Sequence, residues 1–416
     1  MDRFDFDGDK NKFDKLANDF AKGNISRRHF LKMVGTLGTA LAFAGPVSTI
    51  LASCSPASQA TTTVVATAAG GGGSKVWPIT NMTTDQLLDF YKNTLPFRDT
   101  LPLPEGPIGD KPIVIGFSQT GFNHPWRVEM IKSAQAEVAR HENVTMVVTD
   151  GNVDIQKQNS DIDDLLAQEV DAVVMSPVES AGLVPAGNKV MAAKKPLILL
   201  DRDIPSEKSL FIGQSNITMA KGVAEDMIKR LNGKGKILEI TGLIGSSPAI
   251  DRQKGMMEAL ASAADIEILQ TGDGEWIRDP AVKLMEDWLV AFPEIDAVFS
   301  HAEESSWGAQ FAISRANRCG EKIMHFTHDA SNAGFKSVKS GMFTADGNYS
   351  PFIGDIGVRA ALMSLLGQEI PNKQTYEFEG WLYRLGDLPV VNPENVDQWL
   401  GKGWGDFEPP DDPCAA

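Results

Sequence analysis

Four apolar residues, Leu197 to Leu200, run into Asp201-Arg202-Asp203 in the stretch PLILLDRDIP. A carboxylate beside a guanidinium can accept from and donate to one polar ligand. A Leu and Ile run bounded by prolines is what a strand covered on both faces needs, because both side-chain rows meet a core. The charges therefore stand at a strand's carboxyl end, where the loops of an open α/β sheet form a ligand crevice. Taken alone, the same triplet would also serve as a solvated loop with a local ion pair.

The elements that would position these charges are regular from Ile113 onward. IVIGFSQ reads as a strand, and HPWRVEMIKSAQAEVARH (124–141) as a helix with Val128, Ile131, Ala134 and Val138 at helical spacing. VTMVVTD, AVVMSP and PLILLDRD follow as strands, with helices in NSDIDDLLAQEV and SAGLVPAGNKVMAAKK between them. The alternation repeats through KILEITG, IEILQTG, AVFSHAEE and KIMHFTHD. Strands alternating with helices mean parallel sheets with right-handed crossovers. The fold class expected is α/β, with two doubly wound parallel-sheet lobes joined by a hinge and a small-molecule cleft between them.

Composition narrows the partners. The chain has 416 residues, 39 Lys and Arg against 55 Asp and Glu, and a net charge of -16. It is long enough for two cored lobes, and so acidic that nothing attracts it globally to nucleic acid. Its three cysteines, Cys54, Cys319 and Cys414, make no disulfide framework.

SRRHFLK (26–32), a modestly apolar run and LASC ending at Cys54 resemble a twin-arginine export signal with a lipoprotein cleavage box. The run is interrupted by Gly35, Gly38, Gly45 and Pro46, which makes a poor spanning helix. Cys54 would carry the lipid. The uncharged stretch SPASQATTTVVATAAGGGGS then reads as a flexible tether. The expected organisation is a signal (1–53), a tether (54–75) and an N-terminal extension (76–110) holding a short capped helix in TTDQLLDFYKN. A first lobe (111–215 and 349–375), a second lobe (216–348 and 376–399) and a tail (400–416) follow.

FSQTGFNHPWR, LLDRDIP, GSSPAIDRQKG, AVFSHAEE and FTHDA, in this order and at these intervals, resemble the type I periplasmic sugar-binding proteins of ABC transporters, in the ribose, xylose and galactofuranose branch. The resemblance covers residues from about 111 to about 399, and three of the stretches look most like the galactofuranose-type proteins. It implies ring-stacking aromatics at Trp126 and Trp276, with Phe122 a lesser candidate. It implies a hydroxyl-gripping pair at Asp201 and Arg202, an arginine and an aspartate of the second lobe at Arg252 and Asp329, and a further arginine at Arg127. Ser176 would face the ligand, Asn348 would supply an amide near the hinge, and His124 stands where the ribose branch has asparagine. Sugar rings, with apolar CH faces and a hydroxyl rim, need this mixture of aromatic plates and planar charged groups.

The implied protein is an extracytoplasmic lipoprotein, a monomer, anchored on the outer face of the cytoplasmic membrane, that delivers a monosaccharide to ABC permease subunits. The alternative is a sensory receptor of the same fold for a non-sugar solute such as an autoinducer, nucleoside or polyol, docking to a chemoreceptor or sensor kinase. One departure stands out: Ala302 and Glu303 occupy the place where many relatives carry Asn-Asp, so either His301, Glu303 or a water acts for the amide, or the sugar lacks a hydroxyl at that point.

No cofactor, metal or catalytic residue is expected. The six histidines show no HExxH or Cys-paired spacing, and DFDGDKNKFD near the amino terminus lacks the acid that closes a calcium loop. GxSxG and GxxxxGK[ST] motifs are absent. A pair of carboxylates in a sugar cleft could hydrolyse a glycoside, but arginine neighbours keep them ionised and make them poor general acids. Trp288 and Trp307, on helices, are read as core.

Overall fold

The computed structural model describes residues 64–67, 79–94, 108–109, 111–205, 209–375, 381–384 and 388–415. The export signal and Cys54 lie outside the described residues.

The first lobe is built on strands β1 (Val64–Thr67), β2 (Ile113–Gln119), β3 (Val144–Asp150), β4 (Ala172–Met175), β5 (Leu197–Leu200) and β6 (Leu210–Gly213). Helices α1 (Thr84–Thr94), α2 (Pro125–Val138), α3 (Ile155–Ala167) and α4 (Val184–Ala192) lie between them, and α5 (Asn216–Arg230) leads into the second lobe. That lobe contains β7 (Lys234–Thr241), α6 (Ser247–Leu260), β8 (Asp265–Asp273), α7 (Arg278–Ala291), β9 (Ala297–Ser300), α8 (Glu303–Arg315), β10 (Met324–His328), α9 (Asn332–Ser340) and β11 (Ala345–Gly347). The chain then returns to the first lobe through α10 (Gly354–Leu365), β12 (Gln374–Thr375) and β13 (Trp381–Arg384).

The first sheet runs β1-β3-β2-β4-β5-β6-β13-β12, and the second β11-β10-β9-β7-β8. All named pairings are parallel except those of β1 with β3 and β12 with β13. The central strands are buried throughout, as the LILL and AVVM runs require. Strand order reverses between β2 and β4 in one sheet and between β7 and β9 in the other. The carboxyl ends at those two switch points face the cleft between the lobes, where such folds place ligands.

Three organisational expectations change. Residues 376–399 do not belong wholly to the second lobe: Trp381–Arg384 pairs in parallel with Leu210–Gly213 of the first sheet, and only at Val391 does the chain bond Asp346 of the second. Within the segment read as a tether, Val64–Thr67 adds an antiparallel strand to the edge at β3. The 400–416 tail is a docked strap, not a free end: Trp404 is buried, Asn332 N–H donates to Trp404 O at 2.8 Å, and Cys414 is joined to Cys319. One disulfide therefore exists where none was read, because it closes across 95 residues that only the fold brings together.

The extension helix forms as expected. Thr83 and Gln86 cap it reciprocally, Gln86 N–H donating to Thr83 Oγ1 at 3.2 Å and Thr83 N–H to Gln86 Oε1 at 2.8 Å. Its Leu87 is fully buried among first-lobe residues, and Phe90 meets Phe352 edge-on with ring centres 5.3 Å apart. The helix is thus part of the lobe. Leu87→Ala should lower the unfolding free energy by about 2–5 kcal/mol in denaturant titration, as core leucines do; a loss under about 0.5 kcal/mol would mean that the helix is not packed there.

Candidate functional site

His124 shapes the first turn of the site. Its Nδ1 accepts from Trp126 N–H at 3.1 Å as the N-cap of α2, and Pro125 follows at the first helical position, where a missing N–H does no harm. Trp126 and Arg127 are thereby presented in the first turn beside the end of β2. Trp126 is both core and cleft residue: it is buried, lines the cleft and stacks on Tyr349 at 5.6 Å with 16° between the planes.

Asp201 leaves the end of β5 with φ of 64° and accepts from the Tyr349 hydroxyl at 2.9 Å. Its Oδ2 lies 3.0 Å from Arg127 Nη1 and 3.7 Å from Arg202 Nε. Arg202 Nη1 donates to the carbonyls of Pro177 and Val178. The opening triplet is therefore no solvated loop, since Asp201, Arg202 and Asp203 are all buried.

From the second lobe, Arg252 Nε donates to Asn216 Oδ1 at 2.9 Å, and Nη1 donates to Asp329 Oδ1 at 3.1 Å and to the His301 carbonyl. Its guanidinium lies 5.2 Å from the Trp276 ring centre and 5.0 Å from that of Tyr349. Trp276 adopts φ of 71° after β8, and an added Cβ at Gly242 would lie 2.1 Å from its ring, so only glycine fits there. Asp329 has φ of 125° and its carbonyl accepts from Trp404 Nε1 at 2.7 Å. Three strained cleft residues on three strand ends are the kind of outlier that marks a functional site.

Of the residues named from the sequence, the cleft brings together His124, Trp126, Arg127, Asp201, Arg202, Arg252, Trp276 and Asp329. About 530 Å³ between the lobes, counting the solvent at the mouth, is free of protein atoms. The mouth is drawn together by Ser180 N–H donating to Gly245 O and Asp203 N–H to Ser247 Oγ, each at 3.1 Å.

Three expected residues stand elsewhere. Phe122 packs against the first-lobe core and does not line the cleft. Ser176 is buried and turned to protein: its Oγ accepts from Arg127 Nη1 at 2.7 Å and its carbonyl from Thr120 and Gln158. Asn348 lines a separate groove with Gln214, Ser215 and Leu388. The next residue, Tyr349, reaches the cleft in its place. At the departure, Ala302 is buried and Glu303 is held by Ser331, whose N–H and Oγ donate to it at 2.7 and 2.5 Å, so Glu303 does not act for the amide. His301 lends its carbonyl to Arg252. Asn123, Thr120 and Glu275, which motif reading did not single out, also line the cleft. Trp288 and Trp307 are core, as expected.

Burial dominates the electrostatics. His124 is lowered to about 3, by burial first and then by the fields of Arg127, Arg252 and Arg202, so it stays neutral. His301 and His328 are lowered for the same first reason. Burial lifts Asp329 to about 7 against the pull of Arg252, with Asp346 adding to the rise, so contrary to expectation its arginine neighbour does not hold it in the ordinary carboxylate range. The folded form thus keeps a proton on Asp329 that the unfolded chain releases near pH 4. Its stabilising effect is complete on the acid side and fades as pH rises toward 7. The buried histidines act in the opposite sense, below about pH 6.5, so the isolating measurement is a comparison. Relative to the wild type, Asp329→Asn should gain on the order of 2 kcal/mol between pH 5 and pH 8 in urea titrations; an unchanged difference would show that Asp329 titrates normally.

A two-lobed α/β protein with charged and aromatic side chains converging from the carboxyl ends of both sheets defines the class of cleft-closing solute binders. Residues 115–369 match the periplasmic binding protein domain, and the chain belongs to that family. It is 30% identical over 249 residues to the galactofuranose-binding protein of Escherichia coli, covering 58% of this chain and 78% of that one. It is 27% identical over 269 residues to a xylitol-binding protein of Mycolicibacterium smegmatis, covering 64% and 74%. The crystal structure of a galactofuranose binding protein superposes with a TM-score of 0.63 at 26% identity, covering 70% of this chain and 98% of that one. The fructose binding periplasmic domain of a hybrid two component system superposes with a TM-score of 0.63 at 28% identity, covering 69% and 93%.

Proposed function

We propose that this chain is an exported solute-binding protein that takes a monosaccharide between its lobes and delivers it to an ABC permease. The observation that carries this reading is the convergence, in one cleft, of Asp201, Arg127, Arg202, Arg252 and Asp329 with the ring faces of Trp126, Tyr349 and Trp276. Paired carboxylates and guanidiniums suit a rim of hydroxyls, and aromatic faces suit the CH faces of a sugar ring. The relatives named above are binding proteins, and no reaction is assigned.

In this reading the ligand enters between the lobes and bonds residues of both. Contacts that exist only when the cleft is shut shift the equilibrium toward the closed form by the difference in affinity. The permease would then recognise that form. Cys54 would carry a lipid after twin-arginine export and hold the body at the outer face of the membrane; the strand Val64–Thr67 and helix Thr84–Thr94 both attach to the first lobe, so that lobe would be the one facing the anchor. The likeness to a periplasmic domain of a two component system favours one second reading, a sensory partner that reads the same closed form.

A thermal-shift screen of the intact chain against monosaccharides, pentitols, inositols and nucleosides tests the ligand class, since a ligand that binds only the folded state raises Tm. An aldose or ketose should give the shift; a shift with a nucleoside alone would keep the fold and overturn the sugar. Arg252→Ala should weaken binding of that sugar by about 2–5 kcal/mol in calorimetric titration, and undiminished affinity would remove Arg252 from the ligand. Cys54→Ser should move the protein from the membrane to the soluble fraction, whereas retention would indicate an uncleaved anchor.

A further inference from the structure

The C-terminal strap touches both lobes. Its hold on the second is extensive: Gly403 N–H donates to Asn332 Oδ1 at 2.9 Å, Asn332 Nδ2 donates to Gly405 O at 2.8 Å, Gln310 Nε2 donates to Asp412 Oδ1 at 2.8 Å, and the Cys319–Cys414 disulfide closes the end. A side chain at Gly403 would put its Cβ 2.6 Å from Asn332 N, so the strap lies directly on the start of α9. Yet the Trp404 ring, 3% exposed, belongs to the apolar core of the first lobe, the cluster that holds Leu87, Met130 and Phe352. Phe407 packs against that core and also against the second-lobe cluster of Ala333, Phe335 and Val338, with its ring centre 5.6 Å from that of Trp404.

The strap is thus tied to one lobe and rests its aromatic pair on the other. Hinge opening carries the second lobe away, and the strap, held by backbone bonds and a disulfide, must travel with it. Trp404 is then drawn out of the first-lobe core and its ring exposed to water, a loss of buried apolar area that only the shut form avoids. We infer that the strap is a latch on the cleft: it is carried by the second lobe, seats Trp404 in the first, and holds part of the population shut before any solute arrives. The same indole donates to the Asp329 carbonyl at 2.7 Å, so seating the latch also braces a residue of the cleft wall in its φ of 125°. The latch acts on the hinge and does not depend on which solute the cleft takes.

The test needs no solute. Ser247 is buried and its Oγ accepts from Asp203 N–H across the mouth, so in a Cys54→Ser chain with the native disulfide intact, Ser247→Cys makes opening visible as reaction with N-ethylmaleimide. The thiol should react more slowly in the folded chain than in urea. Trp404→Ala, checked for folding by circular dichroism, should raise the folded rate about tenfold, or to the urea rate where that is reached first, as expected for apolar area on the scale of a large side chain. Cys319→Ser with Cys414→Ser, which frees the end of the strap and keeps Trp404, should raise the rate in the same direction, and it decides where Trp404→Ala does not fold. A folded rate equal to that in urea overturns the latch, and so does a protected thiol that the deciding variant leaves as slow as before.

Discussion

A guanidinium withdrawn from water sets the geometry of the second lobe. Arg252 is 2% exposed, and an ion so buried costs several kcal/mol unless its donors are met. The acceptors come from five places in the chain: Asn216 at the start of α5, the His301 carbonyl beyond β9, Asp329 beyond β10, and the faces of Trp276 beyond β8 and Tyr349 beyond β11. Meeting them fixes the relative heights of those strand ends. The rest of the cleft hangs on the same point, because Tyr349 carries the contact across to Asp201 and Trp126 of the first lobe.

Backbone conformations that the sequence does not announce hold the gripping residues in place. Asp201, Trp276 and Asp329 all have positive φ without being glycine, a state that persists only where surroundings over-determine it. For Asp201 the surroundings are its own N–H donating to Ile212 O at 3.1 Å and the neighbouring Arg202 N–H donating to Leu200 O. For Trp276 they include the bare Cα of Gly242, and for Asp329 the indole of Trp404. Trp404 comes from the C-terminal strap, so a segment outside the matched family domain buttresses one wall of the site. The strap is bonded along its length by Asn332 to Gly403 and Gly405, by Gln310 to Asp412, and by the Cys319–Cys414 disulfide.

What was legible in the sequence is what short-range physics controls. LILL and AVVM declare strands covered on both faces, which put Asp201 and Arg202 at a strand's carboxyl end, whereas the family resemblance is what singles out Trp126 and Arg127. GDIGVRAALMSL gave no such signal, because α10 is buried on nearly every side and shows no polar face to reveal a period. The third crossing between lobes was misplaced for a related reason: Trp381–Arg384 becomes a strand by pairing with Leu210–Gly213, some 170 residues earlier, and local pattern does not report a distant partner. Asn348 and Tyr349 show the finest limit. Both lie beyond β11, and a one-residue change in direction decides which of them turns to the cleft and which to the groove behind the hinge.

The three buried cleft arginines also bear on how closure is coupled to binding. In an open cleft the three arginines would face water, where their mutual repulsion is weak. Bringing the lobes together adds the field of Arg252 to that of Arg127, which shares the first lobe with Arg202, in a drier space, and this disfavours the charged form of Arg202. The mouth contacts, Ser180 to Gly245 and Asp203 to Ser247, are neutral hydrogen bonds worth about 1 kcal/mol each, a modest pull toward closure. A ligand that brings hydrogen-bond acceptors to Arg202 offsets the repulsion only when the cleft is shut. Its differential affinity for the closed form therefore arises from the same clustered guanidiniums that make an empty closed cleft unfavourable.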